Sequence, residues 1–413
     1  MDTTTAPGSG RLPALTTLAA ACLLLAGCAS AGTAGTAGSG AAGGGGSASA
    51  PVKVGLVYSR TGPLAAYGLQ YEQGFTAGLA YATGGTGKVD GHPIQVTEED
   101  DTGDPATAVA DAKDLIGKGY KILAGTVDSG IAVQLAPLAA QNQVLYVSGP
   151  AADDSITGIN TYTFRSGRQS YQDVAAAGSL VGDPSGKKIL VLTQDSAFGQ
   201  GNVSAVKEVL GAKGAVVSSI LVPPGATDLT TYAQQVKSAG ADLVYVAWAG
   251  ADAPALWTAL DQQGVVGSVK VVTGLAGIAS YPLFGAAGAK VSFIAHYFPG
   301  AGGGNPVETA MINGITKAGG TPDLFSPDGF TAAQMIVHAI QASPTDTSAM
   351  VSALEGWSFD GPKGPEQIRA ADHALLQPMF QAKLTGTGAA AKPVLVATLP
   401  AAQVAPPVVP MKG

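Results

Sequence analysis

Few residues in this chain could do chemistry. Its 413 residues include two cysteines and four histidines. Cys28 closes the run Leu25-Ala26-Gly27-Cys28, the small-residue pattern that precedes a lipid-modified cysteine, so the chemistry expected of its thiol is attachment of a lipid. Cys22 falls inside the apolar stretch before it, which leaves the folded body without a thiol and excludes disulfides and cysteine-ligated metals there. His92, His296, His338 and His373 are dispersed without ligand spacing and read as structural histidines, so no metal site is expected. The acidic run Glu98 to Asp101 ends a β-rich stretch before a turn and reads as a solvated edge. The G-x-S-x-G elbow, the phosphate-binding Walker loop, H-E-x-x-H and a strand-linked G-x-G-x-x-G are all missing. No catalytic residue, no cofactor and no reaction follow from these residues.

The elements that must position any site are easier to read. Short β-rich runs recur about every 20 to 30 residues, each followed by a Gly/Pro/Asp turn and a helix-period stretch, as in alternating βα units of a parallel sheet. The first series is Val52 to Tyr58, Ile94 to Val96, Ile122 to Ala124 and Val144 to Val147. After a break near Ser166 to Ser170 a second follows, with Ile189 to Leu192, Val216 to Val222, Leu243 to Ala247 and Val269 to Val272. Tyr71, Phe75, Gly78, Leu79 and Ala82 have the spacing of a helix face packed on a sheet. Asp104-Pro105 suits an N-cap followed by a first turn. The end of the chain, Pro393 to Pro410, reads as a last strand and a loose tail.

Composition bounds the class. Residues 1–27 read as a cleaved lipoprotein signal peptide, since the apolar stretch from Leu12 to Leu25 is too short for a bilayer core of about 30 Å. The lipidated cysteine then opens a tether, residues 28–50, made almost wholly of Gly, Ala, Ser and Thr. As a random coil it would hold the body roughly 25 Å from the lipid. The remaining body of about 360 residues exceeds one ordinary core and predicts two domains. A net charge of −7 without a Lys/Arg cluster leaves nucleic acid without an electrostatic footprint. With 46% hydrophobic residues, 12% charged and 58 glycines, the texture is that of an α/β protein broken often by turns.

The run Val54-Gly55-Leu56-Val57-Tyr58-Ser59-Arg60-Thr61-Gly62-Pro63-Leu64-Ala65-Ala66-Tyr67-Gly68 resembles the opening of the branched-chain amino acid (Leu/Ile/Val) family of periplasmic substrate-binding proteins of ABC transporters. The resemblance continues in order through Asp100-Asp101-Thr102-Gly103-Asp104-Pro105, Ala124-Gly125-Thr126-Val127-Asp128-Ser129-Gly130 and Ser148-Gly149-Pro150-Ala151. It goes on through Thr163-Phe164-Arg165, Ala197-Phe198-Gly199-Gln200-Gly201 and Asp372-His373-Ala374-Leu375-Leu376-Gln377-Pro378. Seven weak segments in the right order outweigh any one of them. The resemblance implies an α/β fold of the type I periplasmic binding protein kind: two Rossmann-like lobes with three-layer, mainly parallel sheets, joined by a three-strand hinge. By that analogy lobe 1 takes residues 52–166 with 275–357, and lobe 2 takes 167–274 with 358–413.

The same resemblance implies the ligand positions. Ser129 matches the family's carboxylate-binding serine, at the start of a helix expected from Gly130 to Ala140; a plain N-cap is the alternative. Asp252 matches the acid that pairs with a ligand ammonium, or is an exposed loop residue. Tyr67 matches an aromatic of the cleft, or packs on its own lobe, and Trp248 offers a stacking face or packs between lobes. Ala152 stands where amino-acid binders have a hydroxyl residue and Phe198 where many have Tyr, so two ligand hydrogen bonds are lost. Pro150 to Ala152 are then expected to offer backbone carbonyls. Asp128 either points into the cleft, repelling a carboxylate, or caps the helix outward. Tyr281, Phe284 and Tyr297 are further candidate aromatic surface.

The function implied is a monomeric, lipid-anchored solute-binding protein on the outer face of the cytoplasmic membrane. It would capture a small amino acid-like or related organic ligand by hinge closure and deliver it to an ABC permease, without being an enzyme. The alternatives are a sensor of the same fold signalling to a membrane kinase or regulator, and an extracellular enzyme built on the same lobes.

Overall fold

The structure, a computed structural model, describes residues 49–412. Cys28, the apolar stretch before it and most of the Gly/Ala/Ser segment lie outside the described residues. The first sheet is built by β1 (Val52–Tyr58), α1 (Ala65–Ala82), β2 (Lys88–Val89), β3 (His92–Asp100), α2 (Pro105–Gly117), β4 (Ile122–Ala124), α3 (Ser129–Gln141), β5 (Leu145–Ser148) and β6 (Thr163–Arg165). Its order is β2-β3-β1-β4-β5-β6, parallel except for the β2–β3 hairpin. β1 is an unbroken run of Val, Leu, Gly and Tyr after Lys53 because its central place buries both faces. Gly55 sits there because a methyl group would collide with Leu115 of α2 and Leu123 of β4.

The second sheet begins after Ser166–Gln169. Its units are α4 (Ser170–Val181), β7 (Lys188–Gln194), α5 (Ala197–Val209), β8 (Val216–Val222), α6 (Leu229–Ser238), β9 (Leu243–Ala247), α7 (Ala253–Gln262), β10 (Lys270–Gly274) and β11 (Val291–Ala295). The chain then returns to the first lobe with α8 (Pro306–Lys317), α9 (Ser326–Ala342), α10 (Thr347–Leu354), β12 (Ser358–Gly361), β13 (Gly364–Ile368) and β14 (Leu375–Leu376). It goes back once more for β15 (Met379–Thr385) and β16 (Lys392–Leu399), which pair antiparallel at one edge in the order β16-β15-β11-β10-β9-β7-β8.

The expected division of the chain is corrected at two places. β11 pairs with β10 and β15, so the second sheet keeps the chain up to Ala295 and not only to residue 274. The apolar run Val-Ser-Phe-Ile-Ala is buried between those neighbours, which a boundary at residue 275 would expose. Residues 358–376 belong with the first lobe, because Ile368 and Leu375 are buried in one core with Val54, Leu56 and Met335. Up to β16 the chain crosses between the lobes three times, at Ser166–Gln169, His296–Asn305 and Gln377–Pro378.

The predicted apolar stripe on α1 meets α9 at backbone distance. A methyl group on Gly74 would collide with the Ser326 carbonyl, and one on Gly329 with the Tyr71 carbonyl. That approach buries Tyr71, Phe75 and Phe330, each worth about 2 kcal/mol of transfer energy. It also sets the ends of both helices at the interlobe face.

The tail is not loose. Val404 is buried in the second lobe's core, after which the chain crosses to the first lobe. There Arg369 donates from Nη1 to Pro406 O (2.7 Å) and from Nη2 to Pro407 O (3.0 Å). Val409 N donates to Asp372 Oδ2 (3.1 Å) and Lys412 N to Gly158 O (2.9 Å). Asp372 is itself gripped by Arg369 through Nε and Nη2.

Candidate functional site

Between the lobes lies a cavity of about 390 Å³, within the range of small-molecule pockets. Residues at the carboxyl ends of β7, β9, β10 and β11 line it, as do the residues that begin four helices: Leu64 of α1, Asp128 of α3, Ser196 of α5 and Phe325 of α9. In open parallel sheets this is where ligands are held. The rims touch: a methyl group on Gly250 of the second lobe would lie 3.5 Å from Pro63 O and 3.7 Å from Leu64 Cδ2 of the first, and burial pushes the Tyr67 hydroxyl up.

The first-lobe wall carries three of the expected residues. Tyr67 packs edge-on against Phe325, with ring centroids 5.0 Å apart. Ser129 Oγ accepts from Ala152 N (3.1 Å) and Asp153 N (3.2 Å), so its lone pairs are spent and its proton is what it has left to donate. Asp128 does both things the sequence set against each other. Its Oδ1 accepts from Ile131 N (3.0 Å) as the cap of α3, and it also lines the cavity; burial pushes its carboxyl up.

Pro150 lines the cavity as well, but the expectation of free carbonyls is corrected. Pro150 O accepts from Arg168 Nη1 (2.7 Å), Ala151 O from Arg165 Nη2 (2.8 Å), and Ala152 O from Ser170 N (2.8 Å) and Oγ (3.1 Å). Two buried arginines at the first crossing need acceptors, and this loop supplies them. Ala152 is buried and outside the cavity lining.

On the second-lobe wall Phe198, Tyr245 and Trp248 line the cavity. Asp252 is corrected. It stands behind that wall, where Oδ1 accepts from Trp248 Nε1 (2.9 Å) and Gln194 Nε2 (3.3 Å). Gln194 in turn exchanges two hydrogen bonds with the Ala249 backbone, at 2.9 and 3.3 Å. Tyr281 and Phe284 are buried in the second lobe's side of the core, and Tyr297 is buried on the second crossing, where its hydroxyl donates to Glu308 Oε1 (3.0 Å); none of them adds surface to the cavity.

The floor holds Arg168 on the first crossing and Asp173 in the first turn of α4, neither singled out by the sequence, and His296 on the second crossing, which the sequence reads as structural only. Arg168 Nε lies 3.2 Å from Asp173 Oδ2. His296 Nε2 lies 2.7 Å from Asp328 Oδ1, and Lys363 Nζ lies 3.4 Å from His296 Nδ1. Burial, with Lys363 and Arg168 nearby, holds the imidazole well below its usual range. It is therefore neutral, donating from Nε2 to Asp328 and accepting from Lys363 at Nδ1. Burial pushes Asp328 up to about 7. The acidic run near the cavity is a turn-former: Asp100 accepts from Arg60 N, Thr61 N and Thr102 N, and buried Asp101 holds Thr126 Oγ1 and Gly103 N. Among the described residues no cluster of His, Cys, Asp and Glu fits a metal.

The sequence profile of periplasmic binding proteins matches residues 51–389. The chain belongs to that family. An ABC-type branched-chain amino acid transporter from Rhodopseudomonas palustris is 33% identical, with 86% of this chain and 99% of that one aligned at a TM-score of 0.69. Leu/Ile/Val-binding protein homolog 3 of Brucella melitensis is 27% identical over 310 residues, 74% of this chain and 83% of that protein. A solute-binding protein of R. palustris in complex with 4-hydroxybenzoate shares the fold at a TM-score of 0.77 and 23% identity, over 85% of this chain and 97% of that one. The two-lobe architecture is thus the family's own. These relatives are named as binding or transport proteins, and no helix among the described residues of this periplasmic binding protein is long and apolar enough to cross a membrane.

Proposed function

We propose that this periplasmic binding protein is the solute receptor of an ABC importer. It takes a small, largely apolar organic ligand into the cleft by hinge closure, passes it to the permease as a monomer and performs no reaction on it. A lipid on Cys28 holds it at the outer face of the cytoplasmic membrane. The observation that supports this reading best is the cavity itself. Both lobes and two of the crossings wall it, Tyr67, Phe198, Trp248 and Phe325 line it, and the rims already come together where Gly250 meets Pro63 and Leu64. A ligand held by both walls favours the closed arrangement over the open one, which is what a permease must distinguish.

Native mass spectrometry before and after mild denaturation, followed by a melting panel of amino acids, amides and organic acids, tests the receptor. A retained small molecule, or one compound that raises the melting temperature, is expected, because a ligand at about 100 times its Kd adds about 2.7 kcal/mol. A panel without effect and an empty protein would remove the reading. For the anchor, C28A should release the protein into the medium; continued membrane association would refute lipidation at that residue.

A further inference from the structure

Arg168 is the one lysine or arginine among the described residues that line the cavity. It is 8% exposed, lies on the first crossing, and stands over the Phe325 ring at 5.5 Å from the centroid. A guanidinium has five N–H donors, and the structure gives Arg168 one hydrogen bond, from Nη1 to Pro150 O. Nε is close to Asp173 but not aligned to donate, and among the described residues it is buried without a hydrogen-bond partner. A buried cation with donors to spare, at the floor of an aromatic-walled cavity, is built to receive an anionic oxygen.

The carboxylates around the cleft tell the complementary story. An α-ammonium needs an acid close to the carboxylate site. Asp252, the residue that family resemblance offers for that purpose, is turned to the Trp248 indole and the Gln194 amide behind the wall. Asp173, next to Arg168, is already its counter-ion. Asp128 uses one oxygen to cap α3, on the wall formed by the first lobe.

We propose that the cleft selects a monocarboxylic acid with an apolar or aromatic body and no α-ammonium, its carboxylate held by Arg168 from the hinge. The proposal rests on the receptor reading and narrows its ligand. Ser129, whose remaining donor is its hydroxyl proton, is the second group available to that carboxylate.

The test is calorimetric titration of the full chain in detergent with matched compounds. Leucine, 4-methylpentanoate and 4-methylpentanamide share one carbon skeleton and differ in the ammonium and the charge; benzoate and benzamide form a second pair. At least one acid is expected to bind tenfold or more tighter than its amide, and 4-methylpentanoate to bind more tightly than leucine. R168Q should reduce the acid-over-amide ratio to near one, and R168K should restore part of it. Leucine binding more tightly than 4-methylpentanoate would overturn the proposal, as would amides equal to their acids in both pairs. Either result leaves the receptor reading intact, whereas no binding by any compound sinks both. If R168Q fails to fold by circular dichroism, the wild-type pairs decide alone.

Discussion

The Trp248 indole donates to Asp252 Oδ1 at 2.9 Å, so an acid that family resemblance would assign to the ligand serves the cavity wall instead. Gln194 Nε2 reaches the same oxygen at 3.3 Å and is locked to the Ala249 backbone. The aromatic face is thus fixed before any ligand arrives, and ordering it costs nothing at binding.

This relationship separates two roles for Asp252. D252A leaves a half-buried indole N–H without an acceptor, and ligand affinity should fall about fivefold, the weight of about 1 kcal/mol. D252N keeps an oxygen acceptor and should bind nearly as the wild type. Tryptophan fluorescence together with the ligand titration checks this. A large loss in D252N would mean that the charge itself contacts ligand.

The contact between α1 and α9 predicts a stability effect at a residue outside the cavity lining. Gly74→Ala forces a methyl group against the Ser326 carbonyl, and urea unfolding should show a loss of about 1 to 3 kcal/mol. Because Phe325, the residue just before α9, is the face against which Tyr67 packs, affinity should fall with stability. An unchanged midpoint would show that the helices separate at little cost.

Asp328 predicts how stability follows pH. Burial raises its folded pKa to about 7, above the unfolded value of about 3.9. Between those values the folded protein keeps a proton that the unfolded chain has lost, so this contribution falls as pH rises from about 4 to 7 and is constant above. Arg165, Arg168 and Lys363 face it and oppose the shift; Glu366, also raised by burial, adds in the same direction. His296 has the opposite sign, since only its unfolded form takes a proton below about 6.5. The difference in melting temperature between wild type and D328N, scanned from pH 5 to 8, isolates the Asp328 part. It should change across that interval; a constant difference would refute the assignment.

The C-terminal crossing predicts a clasp. R369A leaves the buried Asp372 carboxylate without its cation and removes two donors to the tail, which should cost about 3 kcal/mol by urea unfolding. Burial pushes Asp372 up, but the bonds from Arg369, Val409 and Ala374 outweigh it and hold the carboxyl below its usual range. Its stabilisation is therefore present at neutral pH and lost as pH falls below about 4. Removal of residues 405–413 should reproduce much of the loss; a truncated protein as stable as the intact one would exclude the clasp.

Much of the scaffold was legible because periodicity and turn residues report local structure. The runs at Val52 to Tyr58 and Leu243 to Ala247, the stripe from Tyr71 to Ala82 and the Asp104 cap coincide with the observed elements. The lobe boundary near residue 275 was not, because β11 is joined to its sheet by pairing with β10 and with β15, more than 80 residues away, and pairing partners leave no local mark. The floor of the cavity was hidden for a similar reason. Arg168 in Gly-Arg-Gln and the solitary His296 have ordinary neighbours, and only the convergence of the crossings brings them together. The break in pattern at Ser166 to Ser170 was the one available signal. Asp252 was placed in the right loop, but a sequence does not show which way a carboxylate turns.

The fourth passage of the chain between the lobes has a geometric consequence. Residue 50, whose carbonyl meets His92 Nδ1 at 2.8 Å, and residue 412, bonded to Gly158, both lie on the first lobe. Any rotation of one lobe against the other leaves the distance between probes at these two positions unchanged, while a probe on β8 moves relative to both. Labels placed at residues 50 and 412 therefore share one frame of reference, and the second lobe is the part whose swing would be recorded.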